Sequence, residues 1–341
     1  MKVKLPQITF ELTSVCNLKC KYCYNIWKMP GNKNFSHYNS YKQAKKTLKR
    51  IFKVADVKHV TFTGGEPFLA ERFPELVLYA KMKKKSVTII TNGNSANKTD
   101  YKQMLDLKVG LFELPVHSPD TKAHDYMTGI TGSWRKSVES IKILIGLNAN
   151  VVGVIVITKA NYKQIAETLV FLKNMGVFRI MLNRFNIGGQ GIIEKNNLII
   201  SQQELAKTYK IASQTGREHK LALSSNVCTP LCVLNPDDFK NILFSTCSSD
   251  IKRRPLTIDI HGDLRFCNHS PTILGNIYKD KISDMLNSEK AQLWDNIIPD
   301  FCTGCNLYTK CKAGCRAASE QMKLSLNIPD PIIGFAGHIK P

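Results

Sequence analysis

Three cysteines fall within eight residues, Cys16-Asn17-Leu18-Lys19-Cys20-Lys21-Tyr22-Cys23, in a CX3CX2C spacing. They directly follow the alternating run Pro6-Gln7-Ile8-Thr9-Phe10-Glu11-Leu12. A strand that delivers three thiolates on one tight loop can ligate three irons of a cubic [4Fe-4S] cluster and leave the fourth iron without a protein ligand. A small molecule with an amino and a carboxylate group can chelate that open iron, which turns an electron store into a reaction centre. Zinc is the competing reading of close cysteines, and His37 is the nearby residue that would complete such a site.

A second motif, Thr61-Phe62-Thr63-Gly64-Gly65-Glu66-Pro67, follows one strand–helix unit later. Glycines there permit close backbone approach to a ligand, and Glu66 offers an acceptor for an ammonium group. With Tyr22 beside the last cysteine, the pair of motifs resembles the signature of the radical S-adenosylmethionine (SAM) superfamily. The resemblance implies that Cys16, Cys20 and Cys23 hold a [4Fe-4S] cluster and that Gly64, Gly65, Glu66 and Pro67 hold the SAM amino group. It also implies an α/β fold, a partial (β/α)6 TIM-like barrel.

The chain agrees with that expectation up to about residue 195. Strands are predicted at Gln7–Leu12, Val57–Thr63, Ser86–Thr91, Gly110–Val116, Val151–Thr158 and Phe178–Arg184, with amphipathic helices over Phe73–Lys85, Lys98–Leu107, Ser133–Leu147 and Tyr162–Met175. Strict alternation predicts right-handed βαβ units and a parallel sheet with its ligands at the C-terminal strand ends. Those ends supply Asn92 and Ser118 as candidates for the ribose or methionine carboxylate, Arg184 for that carboxylate or the substrate, and Tyr22 to pack on adenine. Glu113, Asp120 and Asp125 follow the fourth strand as candidate bases. Gly188-Gly189-Gln190-Gly191 reads as the joint to a second unit.

Eleven cysteines grouped at 16–23, 228–267 and 302–315 argue for metal ligation in a reducing compartment. Cys247-X14-Gly262-X4-Cys267 and Cys302-X2-Cys305-X5-Cys311-X3-Cys315 flank a predicted hairpin turning at His261-Gly262-Asp263. This pattern resembles the SPASM domain, a small C-terminal β-hairpin/helix iron-sulfur domain of peptide-modifying radical SAM enzymes. The resemblance implies one or two auxiliary [4Fe-4S] clusters. The first would use Cys228 or Cys232 with Cys247, Cys267 and Cys315, and the second Cys302, Cys305 and Cys311. The family's final cysteine has no counterpart after Cys315, so Asp330, water or substrate would complete the second set. One of Cys228 and Cys232 is then spare, either a hydrogen donor to a substrate radical or a small core residue. The expected boundaries are 1–216 for the barrel, 217–325 for the SPASM domain and 326–341 for a C-terminal tail.

The formal net charge of +21 suits an acidic partner. No apolar run is long enough to span a bilayer, and a cytoplasmic location with no membrane partner is expected. The resemblance to radical SAM enzymes with a SPASM domain implies reductive SAM cleavage to a 5'-deoxyadenosyl radical, expected to act on a ribosomally synthesised peptide by epimerisation, cross-linking or oxidation. Flavodoxin or ferredoxin would donate the electron. Because the cysteine loop begins at residue 16, leader recognition is expected to need a separate peptide-recognition protein or another surface. Alternatives are oxidation or rearrangement of a small molecule of aminoglycoside or tetrapyrrole type, sulfatase maturation, or a non-catalytic iron-sulfur or zinc protein that binds nucleic acid.

Overall fold

The computed structural model describes residues 2–31, 38–247 and 254–335, so His37 lies outside the described residues. Six parallel strands form its centre: β1 (Val3–Glu11), β2 (Ala55–Thr63), β3 (Ser86–Ile90), β4 (Leu111–Pro115), β5 (Val151–Ile157) and β6 (Arg179–Arg184). Each matches an expected run to within a few residues. Apolar side chains of β1 and β2, among them Leu5, Ile8, Phe10, Val57, Val60 and Phe62, are fully buried. Helices cover the outer face, as burial of a parallel sheet requires.

The first helix, α1 (Tyr41–Val54), shows the local logic. Ser40 caps it by accepting from the Gln43 N–H at 3.3 Å, and Ala44, Leu48, Ile51 and Phe52 face the sheet. Its lysines fill the solvent side, which accounts for the densest run of positive charge. After α2 (Phe73–Met82) and α3 (Lys98–Asp106) comes a helix not expected from the pattern, α4 (Thr121–Thr128). Asp120, one of the candidate bases, caps it by accepting from Lys122 N–H, and Asp125 accepts from Gly132 N–H, Ser133 Oγ and Trp134 N–H at the start of α5 (Ser133–Gly146). Both carboxylates are committed to turn chemistry.

Beyond α6 (Ile165–Asn174) the structure departs from the expected boundary at 216. Two helices, α7 (Gly191–Leu198) and α8 (Gln202–Glu218), lead to β7 (Ala222–Ser225), which pairs in parallel with β6, and β8 (Ile242–Phe244) extends that edge. The predicted hairpin forms as β9 (Leu256–Asp259) and β10 (Asp263–Arg265), followed by β11 (Ile273–Asn276). It does not stand apart. β9 pairs in parallel with β1, giving one sheet of eleven strands in the order β11-β10-β9-β1-β2-β3-β4-β5-β6-β7-β8, an open barrel. The hairpin's backbone donors and acceptors therefore meet the free edge of β1, and the two expected domains share a sheet.

A buried ion pair fastens this junction: Arg265 of β10 reaches Glu11 at the end of β1, both almost wholly inaccessible, and also donates to Ser270 O at 3.0 Å. Nor is the last segment a loose tail. Asp330 is buried, as are Ile332 and Ile333 of a short terminal helix, Ile332–Phe335. Among the described residues no helix is long and apolar enough to cross a membrane.

Removing one partner of a buried ion pair strands the other charge in a low-dielectric interior, at a cost of about 3–5 kcal/mol. Arg265→Met should lose that much in urea denaturation, and Glu11→Leu combined with Arg265→Met should recover most of it.

Candidate functional site

The cysteine loop is clamped from three sides at the C-terminal ends of the strands. Gly65 N–H donates to Thr13 O at 2.6 Å and Glu66 N–H to Val15 O at 2.8 Å, so the GGEP turn lies directly against the residues leading into Cys16. A Cβ on Gly64 would collide with Thr13 O, and one on Gly65 with Val15 O. Gly64 also has φ +130°, a conformation that strains L side chains. These glycines thus serve the approach of backbone to backbone, where the sequence suggested approach to a ligand. On the second side, Lys19 N–H and Lys21 N–H donate to Thr128 O and Met127 O of α4 at 3.0 and 2.9 Å. On the third, Gly191 N–H reaches Cys23 O at 3.4 Å.

Glu66 is fully buried and its carboxylate accepts from Asn92 N–H at 2.8 Å, Thr91 Oγ1 at 2.7 Å and Phe68 N–H at 3.1 Å. Burial raises its pKa from 4.5 to about 7, and these three donors pull the other way. Asn92 in turn donates through Nδ2 to Asn17 Oδ1 at 2.8 Å and lies 3.7 Å from Cys16 Sγ. Carboxylate and cysteine loop are therefore one hydrogen-bonded unit.

Burial, then the neighbouring Cys23 thiol, pushes the Cys20 thiol up to about 12, and burial also raises Cys16. Lys28 answers them: burial works against its charge, but the adjacent Cys23, Cys16 and Cys20 sulfurs hold its pKa above the usual lysine value. A lysine beside three thiolates favours a cluster-bound anionic loop. Nothing in the spacing of Lys28 from the cysteines singled it out.

Other predicted contacts fall differently. Tyr22 meets His117 edge-on, centroids 4.7 Å apart, with its hydroxyl 2.7 Å from Nε2. Ser118 Oγ donates to Gln164 Oε1 of the segment after β5 at 2.6 Å and accepts from Asp120 N–H of its own loop at 2.8 Å, so its hydrogen is taken up inside the protein. Arg184 is a correction. All five of its N–H groups are engaged inside the protein: Nε to Thr229 Oγ1 at 3.1 Å, one terminal nitrogen to Phe185 O at 3.1 Å and Asn186 Oδ1 at 3.5 Å, the other to Cys228 O at 2.7 Å and to Asp330. It braces the C-terminal segment and has no donor left for a SAM or substrate carboxylate.

The eight remaining cysteines gather beyond these strand ends in two sets. Cys228 and Cys247 are hydrogen-bonded thiols, and that bond, with Arg254 and Arg316 beyond it, lowers the pKa of Cys247 against the effect of burial. Cys315 and Cys267 are the next sulfurs of this group, burial raising Cys267 to about 11 with Cys247 adding to it. Asn186 Nδ2 donates to Cys315 Sγ at 3.3 Å. In the second set the sulfurs acting on Cys232 are those of Cys311, Cys302 and Cys305. Among the described residues no three His, Cys, Asp or Glu side chains converge closely enough to hold one bare metal ion. A cubane is far larger than one ion and asks for a looser ring of thiols, with cations nearby to balance its charge. In both sets and in the loop at Cys16–Cys23 the sulfurs act on one another, as the neighbouring thiols of a cluster site would.

Asp330 does not stand as a waiting ligand. It takes Arg184, the Cys315 N–H at 2.8 Å and the Ile332 N–H at 3.1 Å on its two oxygens. Residues that the sequence left unmarked join the layers: Gln321 donates to Tyr24 O at 2.8 Å and His269 O at 2.6 Å and accepts from Gly189 N–H at 2.6 Å.

A family model described as the radical SAM superfamily matches residues 10–172, and one described as SPASM, an iron-sulfur cluster-binding domain, matches residues 247–315. Among curated proteins, the antilisterial bacteriocin subtilosin biosynthesis protein AlbA of Bacillus subtilis is 25% identical over 87% of this chain and 63% of its own length, so the chain spans less than two thirds of that relative. PqqA peptide cyclase of Granulibacter bethesdensis is 21% identical over 94% of this chain and 85% of its own. The crystal structure of Streptococcus suis SuiB bound to precursor peptide SuiA superposes with a TM-score of 0.74 at 18% identity, covering 97% of this chain and 75% of that one.

Ionising Glu66 inside the fold is costly, so its contribution to stability declines as pH rises from its unfolded value of 4.5 through its folded value of about 7. In cluster-free protein, this group should remove on the order of 3 kcal/mol of urea stability across that window. Glu66→Gln should flatten that part of the slope.

Proposed function

We infer that this chain, which belongs to the radical SAM superfamily and carries a SPASM-type iron-sulfur domain, is an enzyme that reductively cleaves SAM and abstracts hydrogen from a ribosomally synthesised peptide. The observation that carries the reading is the joint between Gly64–Glu66 and Thr13–Val15, which sets a buried carboxylate beside a loop of three thiols.

When bound, the cluster and SAM supply a 5'-deoxyadenosyl radical. The chain's own residues do the rest. Cys16, Cys20 and Cys23 would hold three irons, and Lys28 would offset the charge of their sulfurs. Glu66 would receive the SAM ammonium, an exchange that converts the cost of its buried charge into a paired interaction. Asn92 would keep Glu66 and the cysteine loop in register. Tyr22, oriented by His117, would offer a ring face for adenine. The layer of Tyr24, His269 and Gln321 between this loop and the auxiliary cysteines would exclude water from the path between them.

A peptide substrate is supported by the relatives, among them a peptide cyclase and a bacteriocin biosynthesis protein. The net charge of +21 suits an acidic leader segment, and a reduced flavodoxin or ferredoxin suits the same basic surface. A separate peptide-recognition protein would strengthen substrate capture.

After anaerobic reconstitution the protein should hold about twelve irons, and Cys16/Cys20/Cys23→Ala about eight, with 5'-deoxyadenosine formation lost. Glu66→Gln should keep the iron and weaken SAM binding at least tenfold. Calorimetry with candidate precursor peptides should show binding that weakens with salt. Absence of 5'-deoxyadenosine under dithionite, with iron fully loaded, would overturn the enzymatic reading.

A further inference from the structure

We propose that Cys232 is the fourth protein ligand of the second auxiliary cluster, completing Cys302, Cys305 and Cys311, so that all eleven cysteines are ligands. The proposal rests on the auxiliary-cluster reading above. Residues 316–341 supply no cysteine to the set of Cys302, Cys305 and Cys311.

Four observations place Cys232 there. First, the segment 228–234 is a tight turn packed on the cysteine-rich C-terminus: Val233 N–H and Leu234 N–H close on Pro230 O at 2.9 and 3.0 Å, and Leu231 N–H donates to Cys311 Sγ at 3.2 Å. A backbone N–H aimed at a cysteine sulfur is the usual way a protein supports a cluster thiolate. Second, Gly314 accommodates this contact. Its φ is +76°, and a Cβ there would press on Pro230 Cγ at 2.6 Å.

Third, the turn splits its two cysteines between the sets. Cys228 bonds to Cys247, with Cys315 nearby, while the sulfurs around Cys232 are Cys311, Cys302 and Cys305. Four residues apart, the two thiols diverge from one turn, which Arg184 holds by the carbonyl of Cys228 and Gln202 Nε2 holds by the carbonyl of Cys232 at 3.0 Å. Fourth, the competing ligand is spent: Asp330 is buried against Arg184 and accepts two backbone N–H groups.

Ligation is a proton-coupled exchange without electron transfer. The Cys232 thiol releases its proton to solvent as its sulfur bonds to iron and displaces a water or thiol donor from the assembling cluster. The result is a cluster with four protein ligands and no open iron, and no thiol left over to donate a hydrogen atom. Its chemistry would be electron transfer and not substrate capture.

The test uses the Cys16/Cys20/Cys23→Ala protein, so that only auxiliary clusters contribute, reconstituted anaerobically with iron-57. The parent should hold about eight irons. Adding Cys232→Ala should remove about four, or convert one cubane to a three-iron cluster visible by electron paramagnetic resonance on oxidation. Cys232→Ser, which keeps a ligating oxygen and the local packing, should retain the iron but split one Mössbauer doublet away from the parent's. Cys228→Ala should alter the other cubane, and Asp330→Asn, which loosens the Arg184 contact and the Cys315 backbone, should leave the spectrum of the second cubane unchanged. Cys232 variants that keep about eight irons and the parent's spectrum, or an iron loss at Asp330→Asn in their place, would overturn the assignment. A parent that binds zinc or no metal would instead remove the auxiliary-cluster reading on which it rests.

Discussion

Among the described residues, two ion pairs with both partners almost wholly buried each tie the C-terminal third to one end of the six-stranded centre. Glu11 closes the first strand and meets Arg265 of the hairpin; Arg184 closes the last and meets Asp330. Isolated, any of the four charges would be too costly to bury, so each strand end demands its partner. The open barrel is therefore bracketed: one pair fixes the hairpin that carries Cys267, and the other fixes the turn carrying Cys228 and the segment carrying Cys315. Cysteines from three distant stretches of chain lie beside residues that these two pairs hold in place.

The cation placement has a chemical counterpart. Lys28 stands at the thiols of the Cys16–Cys23 loop, and Arg254 and Arg316 act on Cys247 in the set with Cys228, Cys267 and Cys315. Clustered thiolates repel one another, and a buried set ionises only when iron or nearby cations absorb the charge. High pKa values at Cys20 and Cys267 describe thiols waiting for a metal that will displace their protons.

Much of this was legible beforehand. Short β-rich runs alternating with amphipathic helical stretches located the six central strands, since buried parallel strands leave near-continuous apolar signals, and the hairpin turn at Gly262 was readable from its flanking residues. CX3CX2C and GGEP are local, and local spacing survives in sequence. Arg184 was misread because a strand-end arginine reveals neither its direction nor its partner 146 residues later. Ser118 was misread for a similar reason: a hydroxyl near a strand end serves loop and ligand equally well until Gln164 is seen beside it. The glycines of GGEP were recognised as marks of close approach, yet what approaches them is the chain itself. The parallel pairing of β9 with β1, which dissolves the boundary expected at 216, leaves no periodic trace at all.

That pairing has a cost during synthesis. β1 acquires β2 early, but its other edge, from Ile8 to Glu11, waits for Leu256 to Asp259, roughly 250 residues later. At ribosomal speeds of about 5–20 residues per second, this apolar edge stays unpaired for about 10–50 seconds, open to any strand that meets it. The iron-sulfur hairpin is thus also the cover that ends the nascent chain's exposure to aggregation.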